Sequence, residues 1–251
     1  FHHDGQNFSK AYDIKFQDVN GKESYVWQNT WAISTRMIGV MFAIHSDDKG
    51  LVLPPKLAAT QVVIVPILFE DSKAEVLKKA REIQKNLEKK GISVYLDDRD
   101  NYNPGWKFNE WEMKGIPVRI ELGPRDLEKH QVMVARRDTS EKQALEITAI
   151  ADEVRILLDD IQKSLFDKAQ KILDKSILKV DNLKDAKAAF KDKRIVIAPW
   201  CSAVECEDIF KEKTGAKSLN SPLEQPKLKK SQKCSFCKEE AKLWMHFGKS
   251  Y

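Results

Sequence analysis

The chain has 251 residues, 43 Lys+Arg against 38 Asp+Glu, and 42% hydrophobic residues that include 6 Trp and 11 Phe. Such a length fits two domains with room for part of a third, and such an apolar content excludes a disordered chain. The longest apolar run, Val62 to Phe69, is far short of the ~18 residues a spanning helix needs, and the net charge of +5 permits a nucleic-acid partner without demanding one. Phenylalanine at position 1, where an intact chain carries methionine, leads us to expect further sequence upstream.

Residues 24–31, Ser-Tyr-Val-Trp-Gln-Asn-Thr-Trp, are aromatic and β-branched and predict a strand. Ser34-Thr35 then precede an apolar run from Met37 to Ile44, long enough for a buried helix with a hydroxyl as its N-cap. The tract Gly50-Leu-Val-Leu-Pro54-Pro55 excludes helix and has the composition of a linker. From Gln61 the pattern becomes βα alternation, with a strand to Leu68 and a helix over 72–90 whose Val76, Leu77, Ala80, Ile83 and Leu87 repeat at helical spacing before Gly91. A strand over 92–96, a short helix over 106–114 and strands over 116–122 and 131–136 follow. A long helix over 149–174 buries Val154, Leu157, Leu158, Ile161, Leu165, Ala169 and Ile172 along one face. The alternation implies a mixed sheet flanked by helices. The last stretch reads as a helix over 183–190, a strand over 194–198, a cysteine pair, a helix over 207–213 and a Pro/Lys-rich loop leading to a second pair. The domain boundaries expected from these shifts are 1–57, 58–160 and 161–251.

All 4 cysteines fall in this last stretch, as Cys201-x4-Cys206 and Cys234-x2-Cys237. Two close pairs joined by a long loop suit a tetrahedral Zn2+ with four thiolates, a closed structural site with no open position for chemistry. Free thiols or disulfides are the alternative, and clustering in a single region favours metal over a disulfide framework. Arg36 is the lone charge at the head of the apolar run, so its guanidinium needs either an internal carboxylate or an anionic, planar ligand such as a nucleotide triphosphate. His2-His3-Asp4 contains metal-ligand residue types, but adjacent histidines on an extended chain point to opposite sides, which favours substrate contact. The tract Arg99 to Trp111 mixes Tyr102, Trp106 and Trp111 with Arg99, Lys107, Glu110 and amides, the residue types that stack on unpaired RNA bases and read their edges. The tryptophans are equally suited to anchoring a core. Lys227 to Lys233 is a solvated loop or a phosphate contact.

Trp31-Ala-Ile-Ser34-Thr35-Arg36-Met-Ile-Gly39-Val-Met resembles the third signature motif of class II aminoacyl-tRNA synthetases. His2 to Lys10, Gly50 to Pro55, Arg99 to Trp111, Leu122-Gly-Pro-Arg-Asp126 and the terminal Phe247-Gly-Lys-Ser-Tyr251 resemble, in order along the chain, the prolyl-tRNA synthetase family of the eukaryotic and archaeal type. The resemblance implies an α/β and α+β multidomain chain in three parts. These are the end of the class II antiparallel catalytic domain, an α/β anticodon-binding domain with a mixed sheet, and a small α+β zinc-binding-like C-terminal domain. It implies ATP-dependent activation of L-proline to prolyl-adenylate and transfer to tRNA(Pro), with Mg2+ on the phosphates. A cytoplasmic enzyme is also implied, homodimeric through catalytic-domain sequence outside this chain, with no membrane partner. By position, Arg36 matches the motif-3 arginine that packs on ATP. His2, Trp31 and Ala32 match the proline pocket, Ser34 a hydroxyl beside the adenylate, Arg99, Lys107 and Glu110 the anticodon surface, and Cys201, Cys206, Cys234 and Cys237 the metal ligands. Tyr251 matches a terminal residue directed toward the active site. Phe1, Asp4 and Ala32 depart from the pattern, which has a small hydroxyl, an apolar residue and glycine there. Because the first two class II motifs are absent, no aminoacylation is expected of these 251 residues alone. Two further classes compete with the enzyme, a non-catalytic tRNA-binding module with a structural zinc and a zinc-stabilised protein-interaction scaffold.

Overall fold

The computed structural model describes residues 2–249, so the expectations for Phe1 and Tyr251 lie outside the described residues. The chain divides into two compact units, 1–161 and 162–251.

The first unit begins with short antiparallel ladders. In chain order these are β1 (His2–Gly5), helix α1 (Asn7–Ala11), β2 (Lys15–Gln17), β3 (Glu23–Tyr25) and β4 (Gln28–Thr30). The single strand expected over 24–31 is two: β3 pairs with β2, and β4 pairs with β1. Aromatic and β-branched content sets a strand tendency, but the available partners decide where the ladder breaks. Helix α2 (Arg36–His45) forms where apolar spacing places it, yet none of its residues is buried and Met37, Ile38, Val40 and Ile44 are all exposed. Composition makes a helix sticky; only a facing layer buries it, and no described residues supply one. Its expected hydroxyl cap is also absent: Thr35 has helical dihedrals and its side chain accepts no capping hydrogen bond.

The tract expected as a linker is instead docked. Leu51 N–H donates to the Met113 carbonyl at 2.9 Å and Leu53 N–H to the Gly115 carbonyl at 3.2 Å, with Val52, Pro54 and Pro55 buried. The prolines keep the segment extended, which lets it lie against another backbone as readily as against water. The approach requires glycine on both sides. A Cβ on Gly50 would sit 2.5 Å from the Met113 carbonyl oxygen, and one on Gly115, at φ +75°, 2.6 Å from that of Leu51. Beside it Arg137 donates to both Asp47 carboxylate oxygens, at 2.6 and 2.8 Å.

The sheet of this unit runs β6 (Val94–Leu96), β5 (Val62–Pro66), β7 (Val118–Leu122), β8 (Gln131–Arg136), β9 (Lys142–Glu146), with β6, β5 and β7 parallel and the rest antiparallel. Strand β5 is buried at every position, as a central strand covered on both faces should be. Helix α3 (Lys73–Lys89) joins β5 to β6, and helix α4 (Pro104–Met113) leads from β6 back across to β7. The crossovers run in opposite directions along the sheet, and the right-handed rule for such connections assigns the two helices to opposite faces. Phe108 and Trp111 of α4 pack with Val63, Val65 and Ile116, while α3 buries Val76, Ala80, Ile83 and Leu87. Helix α5 (Pro124–Glu128) and strand β9 were not foreseen. Helix α6 (Ile150–Ser176) begins in this unit with Ile150, Val154, Leu157, Leu158 and Ile161 buried and continues into the second. Its last turns are exposed, Ile172 to 50%, so the expected apolar face ends near Leu165.

In the second unit β10 (Ile177–Lys179), β11 (Ile195–Trp200), β13 (Leu243–Gly248) and β12 (Lys217–Ser218) form a mixed sheet in that order, with helices α7 (Leu183–Lys191) and α8 (Val204–Thr214) in the connections. Phe210 sits at the centre, its ring 4.3 Å from that of Phe236 and 4.8 Å from that of Phe247. Together with Trp200 and the buried cysteines these rings make the core of a small unit that has little aliphatic bulk.

Candidate functional site

Of the predicted site residues, His2 lies in β1 opposite Thr30 of β4, and Trp31 follows Thr30 in the chain. His2, Trp31, Ala32, Ser34 and Arg36 are all exposed, Trp31 to 80%, and Arg36 forms no ion pair among the described residues. The internal carboxylate considered as its partner is not found there. His3, on the other side of the strand, holds the local structure: its Nδ1 lies 2.7 Å from Asn29 Oδ1 and its ring stacks on Trp27. Asp4 accepts a 2.7 Å hydrogen bond from the Thr30 hydroxyl, which gives this departure from the expected apolar residue a partner.

A second cluster lies at the carboxyl ends of the parallel strands β5 and β6, the end of such sheets where ligands bind. Asp97 follows β6 directly and is fully buried. It accepts from Arg99 Nε and Nη2, both at 2.7 Å, and from Trp111 Nε1 at 2.7 Å, while its backbone carbonyl accepts from Lys107 Nζ at 3.1 Å. Arg99 Nη2 also reaches Glu110 at 2.5 Å, and Glu110 takes Lys114 at 2.7 Å. Burial pushes the Asp97 carboxyl up, but the Arg99 and Trp111 hydrogen bonds and the Lys107 charge outweigh it and hold it below its ordinary range. Burial draws the Lys107 ammonium down, Asp97 opposing. Hydrogen bonds from Lys114 and Arg99 hold the Glu110 carboxyl low, and Asp97 and then Glu110 raise the Arg99 guanidinium.

This network carries a platform. Asn103 caps α4 by accepting from Trp106 N–H at 2.8 Å, with Pro104 in the first turn where its missing N–H costs nothing. The cap presents Trp106 outward, stacked on Tyr102 with ring centres 4.0 Å apart and planes 12° from parallel. The Arg99 guanidinium carbon lies 5.0 Å from the Tyr102 ring centre and 5.5 Å from that of Trp106. Tyr102 and Trp106 remain 38% and 43% exposed, beside a cavity of about 420 Å³ lined in part by Phe69, Lys73, Asn101 and Asn103. Of the residues expected to read RNA here, Lys107 is only 2% exposed and already bonded to Asp97, so its ammonium is not at the surface. Arg99 and Glu110 are turned largely onto one another and Asp97. Trp106 faces outward and Trp111 anchors the core, so the tract places one tryptophan at the surface and one inside. Asp97, the hub, went unrecognised in the sequence; an acid immediately after a buried strand and two residues before Arg99 was the available signal.

The third cluster is the four cysteines, all free thiols. Their sulfurs lie within 4.8 Å of one another, with Cys201–Cys237 at 3.5 Å and Cys206–Cys234 at 3.8 Å. A tetrahedral zinc with bonds of about 2.3 Å needs sulfurs about 3.8 Å apart, so the donor set fits the ion in number, chemistry and spacing. Ser202 (φ +63°) and Lys238 (φ +69°), each just after a cysteine, turn the backbone into knuckles. Burial raises the Cys206 and Cys237 thiols; Cys234 is also pushed up by burial, but hydrogen bonds from the backbone at Cys237, Phe236 and Cys201 more than offset this and bring it down.

Residues 61–157 match the family model described as "Anticodon binding domain", and residues 183–251 the one described as "Prolyl-tRNA synthetase, C-terminal". Over its full length the chain is 45% identical to a "Proline--tRNA ligase 2" of Bacillus thuringiensis (strain Al Hakam) and to a "Proline--tRNA ligase" of Thermococcus kodakarensis, covering 52% of each. Among solved structures it resembles prolyl-tRNA synthetase from Cryptosporidium parvum complexed with L-proline and AMP, with a TM-score of 0.92, 43% identity, and coverage of 100% of this chain and 52% of that one. The chain thus spans about half the length of the curated relatives it matches. In sequence and fold it belongs to the prolyl-tRNA synthetase family, as a C-terminal region of that family.

Proposed function

We propose that the chain serves a proline-tRNA ligase, which activates L-proline with ATP and passes the prolyl group to tRNA(Pro), and that its own part is to hold the tRNA anticodon and complete the catalytic pocket. The observation that carries this is the exposed Tyr102–Trp106 stack, held by the Asp97–Arg99–Glu110 network at the carboxyl ends of β5 and β6 in the segment that matches an anticodon-binding domain. Stacked, half-exposed rings hold unpaired bases, and the adjacent amides can read base edges. In this proposal Arg99 and Glu110 orient the platform and meet the anticodon only at its margin, while Lys107 acts from inside by fixing the Asp97 loop.

Residues 1–57 are proposed as the end of the class II catalytic domain, 58–160 as the anticodon-binding domain and 161–251 as the zinc-binding C-terminal domain. Activation is attack of the proline carboxylate on the α-phosphorus with pyrophosphate leaving, a reaction governed by positioning and charge neutralisation. Arg36, exposed and without an ion pair among the described residues, would lie along the ATP, with Mg2+ sharing the phosphate charge. His2, Trp31 and Ala32 would line the proline pocket, with Ser34 beside the adenylate. Zn2+ held by Cys201, Cys206, Cys234 and Cys237 would close the second unit and take no part in the reaction. The parent enzyme is proposed to be a cytoplasmic homodimer.

The test is ATP–pyrophosphate exchange by the longer protein carrying this chain. Proline-dependent exchange is expected; turnover with a different amino acid and none with proline would overturn the assignment.

A further inference from the structure

The second unit holds a cavity of about 520 Å³ that the proposed function does not use. It opens where α7 passes into β11. Its walls include Phe190 and Leu219, and Lys191, Lys193, Arg194 and Lys249 all line it, with no acidic residue among the described residues of the lining. None of the four cations forms an ion pair among the described residues. The turn that gathers Lys191, Lys193 and Arg194 is fixed by backbone hydrogen bonds from Lys193 to Phe190 and from Arg194 to Ala189, and Lys193 holds a left-handed conformation, φ +55°, while Lys249 joins from the end of β13. Arg194 Nε is shielded from solvent and has no hydrogen-bond partner among the described residues.

Four like charges at one concavity repel each other and focus a positive potential into it, and a buried guanidinium N–H without an acceptor is itself destabilising. An anion in the cavity relieves the repulsion, with the Arg194 guanidinium in its wall. Phosphate is the anion that a guanidinium and several ammonium groups match best. The space is also well beyond what phosphate alone fills, within the range of small-molecule sites, and part of its wall is apolar. We propose that this cavity binds a nucleotide by its phosphate, the cations around the phosphate and the Leu219 side against the rest, either as a free nucleotide or as a link in an RNA strand. It is separate from the Tyr102–Trp106 platform and does not depend on that assignment.

The test is a titration of the isotopically labelled 251-residue chain at constant ionic strength, following the amide signals of Lys193, Ile195 and Gly248. The probes are inorganic phosphate, AMP and a uridine pentaribonucleotide. Saturating shifts of these three signals by AMP or the pentamer are expected, with affinity at least tenfold weaker in a Lys191→Glu/Lys193→Glu variant and unchanged in Lys171→Glu, an exposed position on α6. Tighter binding of AMP identifies a free nucleotide, and tighter binding of the pentamer an RNA link. Shifts that do not saturate, affinity that survives the double variant, or inorganic phosphate binding as tightly as AMP and the pentamer would overturn the proposal.

Discussion

Replacing Asp97 by Asn keeps the shape of the hub and removes its charge. In the native chain the fully buried carboxylate faces Arg99 at 2.7 Å and Lys107 Nζ at 3.8 Å, and Lys107 is itself 2% exposed. The variant leaves Lys107 buried without its counter-ion and turns two charge-assisted bonds from Arg99 into weaker ones, with Glu110 still available to Arg99. Breaking a buried pair from one side costs about 3–5 kcal/mol, and the partial exposure of Arg99 places this case near about 3. Native-state hydrogen exchange of the Val63, Ile64 and Val65 amides reads this unit's stability separately from the other's, and about 3 kcal/mol appears as roughly 150-fold faster exchange. Adding Lys107→Met removes the stranded charge and should recover a large part of the loss, since the two sites are coupled. Exchange within threefold of the native chain, or additive effects in the double variant, would refute the hub. The pH dependence carries the same signature. The Asp97 carboxyl is held below its ordinary value of 3.8, so its contribution is present above that value and is lost as pH falls through the lower folded one. Acid weakening of β5 below about pH 4 should therefore flatten in Asp97→Asn.

Trp106→Ala should weaken tRNA(Pro) binding by about 1–3 kcal/mol, roughly 5- to 150-fold, with little change in the urea midpoint, because the ring is exposed and rests on Tyr102; unaltered affinity would remove the platform from recognition. Metal analysis should find about one zinc per chain, and Cys234→Ser should lose it together with the exchange protection of Val196 and Phe247, since the fully buried Cys234 belongs to the same core as both. Gly115→Ala should cost about 1–3 kcal/mol and loosen the docked 50–55 segment, visible as faster exchange of the Leu51 and Leu53 amides, because the new methyl meets the Leu51 carbonyl and the backbone is left-handed there.

Strong periodicity was legible. The apolar spacing from Val76 to Leu87 and the uninterrupted run at Val62 to Val65 located α3 and β5, and the cysteine spacings located a sulfur cluster that the fold brings together. Features that depend on a partner were not. Strands β9 and β12 are short and polar or edge-lying, and take their form from β8 and β13. Leu51 to Pro55 has linker composition but meets Met113 and Gly115, residues some 60 positions away that no local pattern can announce. The same holds at the candidate site. The tract from Arg99 to Trp111 showed the residue types for RNA contact, but their assignment to surface or interior rests on Asp97, which draws Lys107, Arg99 and Trp111 inward and leaves Tyr102 and Trp106 outside.

Recognition of the anticodon is tested most directly by the equilibrium affinity of the 251-residue chain for the anticodon stem-loop of tRNA(Pro), against the same stem-loop with its anticodon bases replaced, at fixed salt because phosphate contacts alone give salt-dependent binding to any RNA. Binding at least tenfold tighter to the proline stem-loop, with the difference abolished by Trp106→Ala, is the expected result; equal affinity for both stem-loops would contradict it.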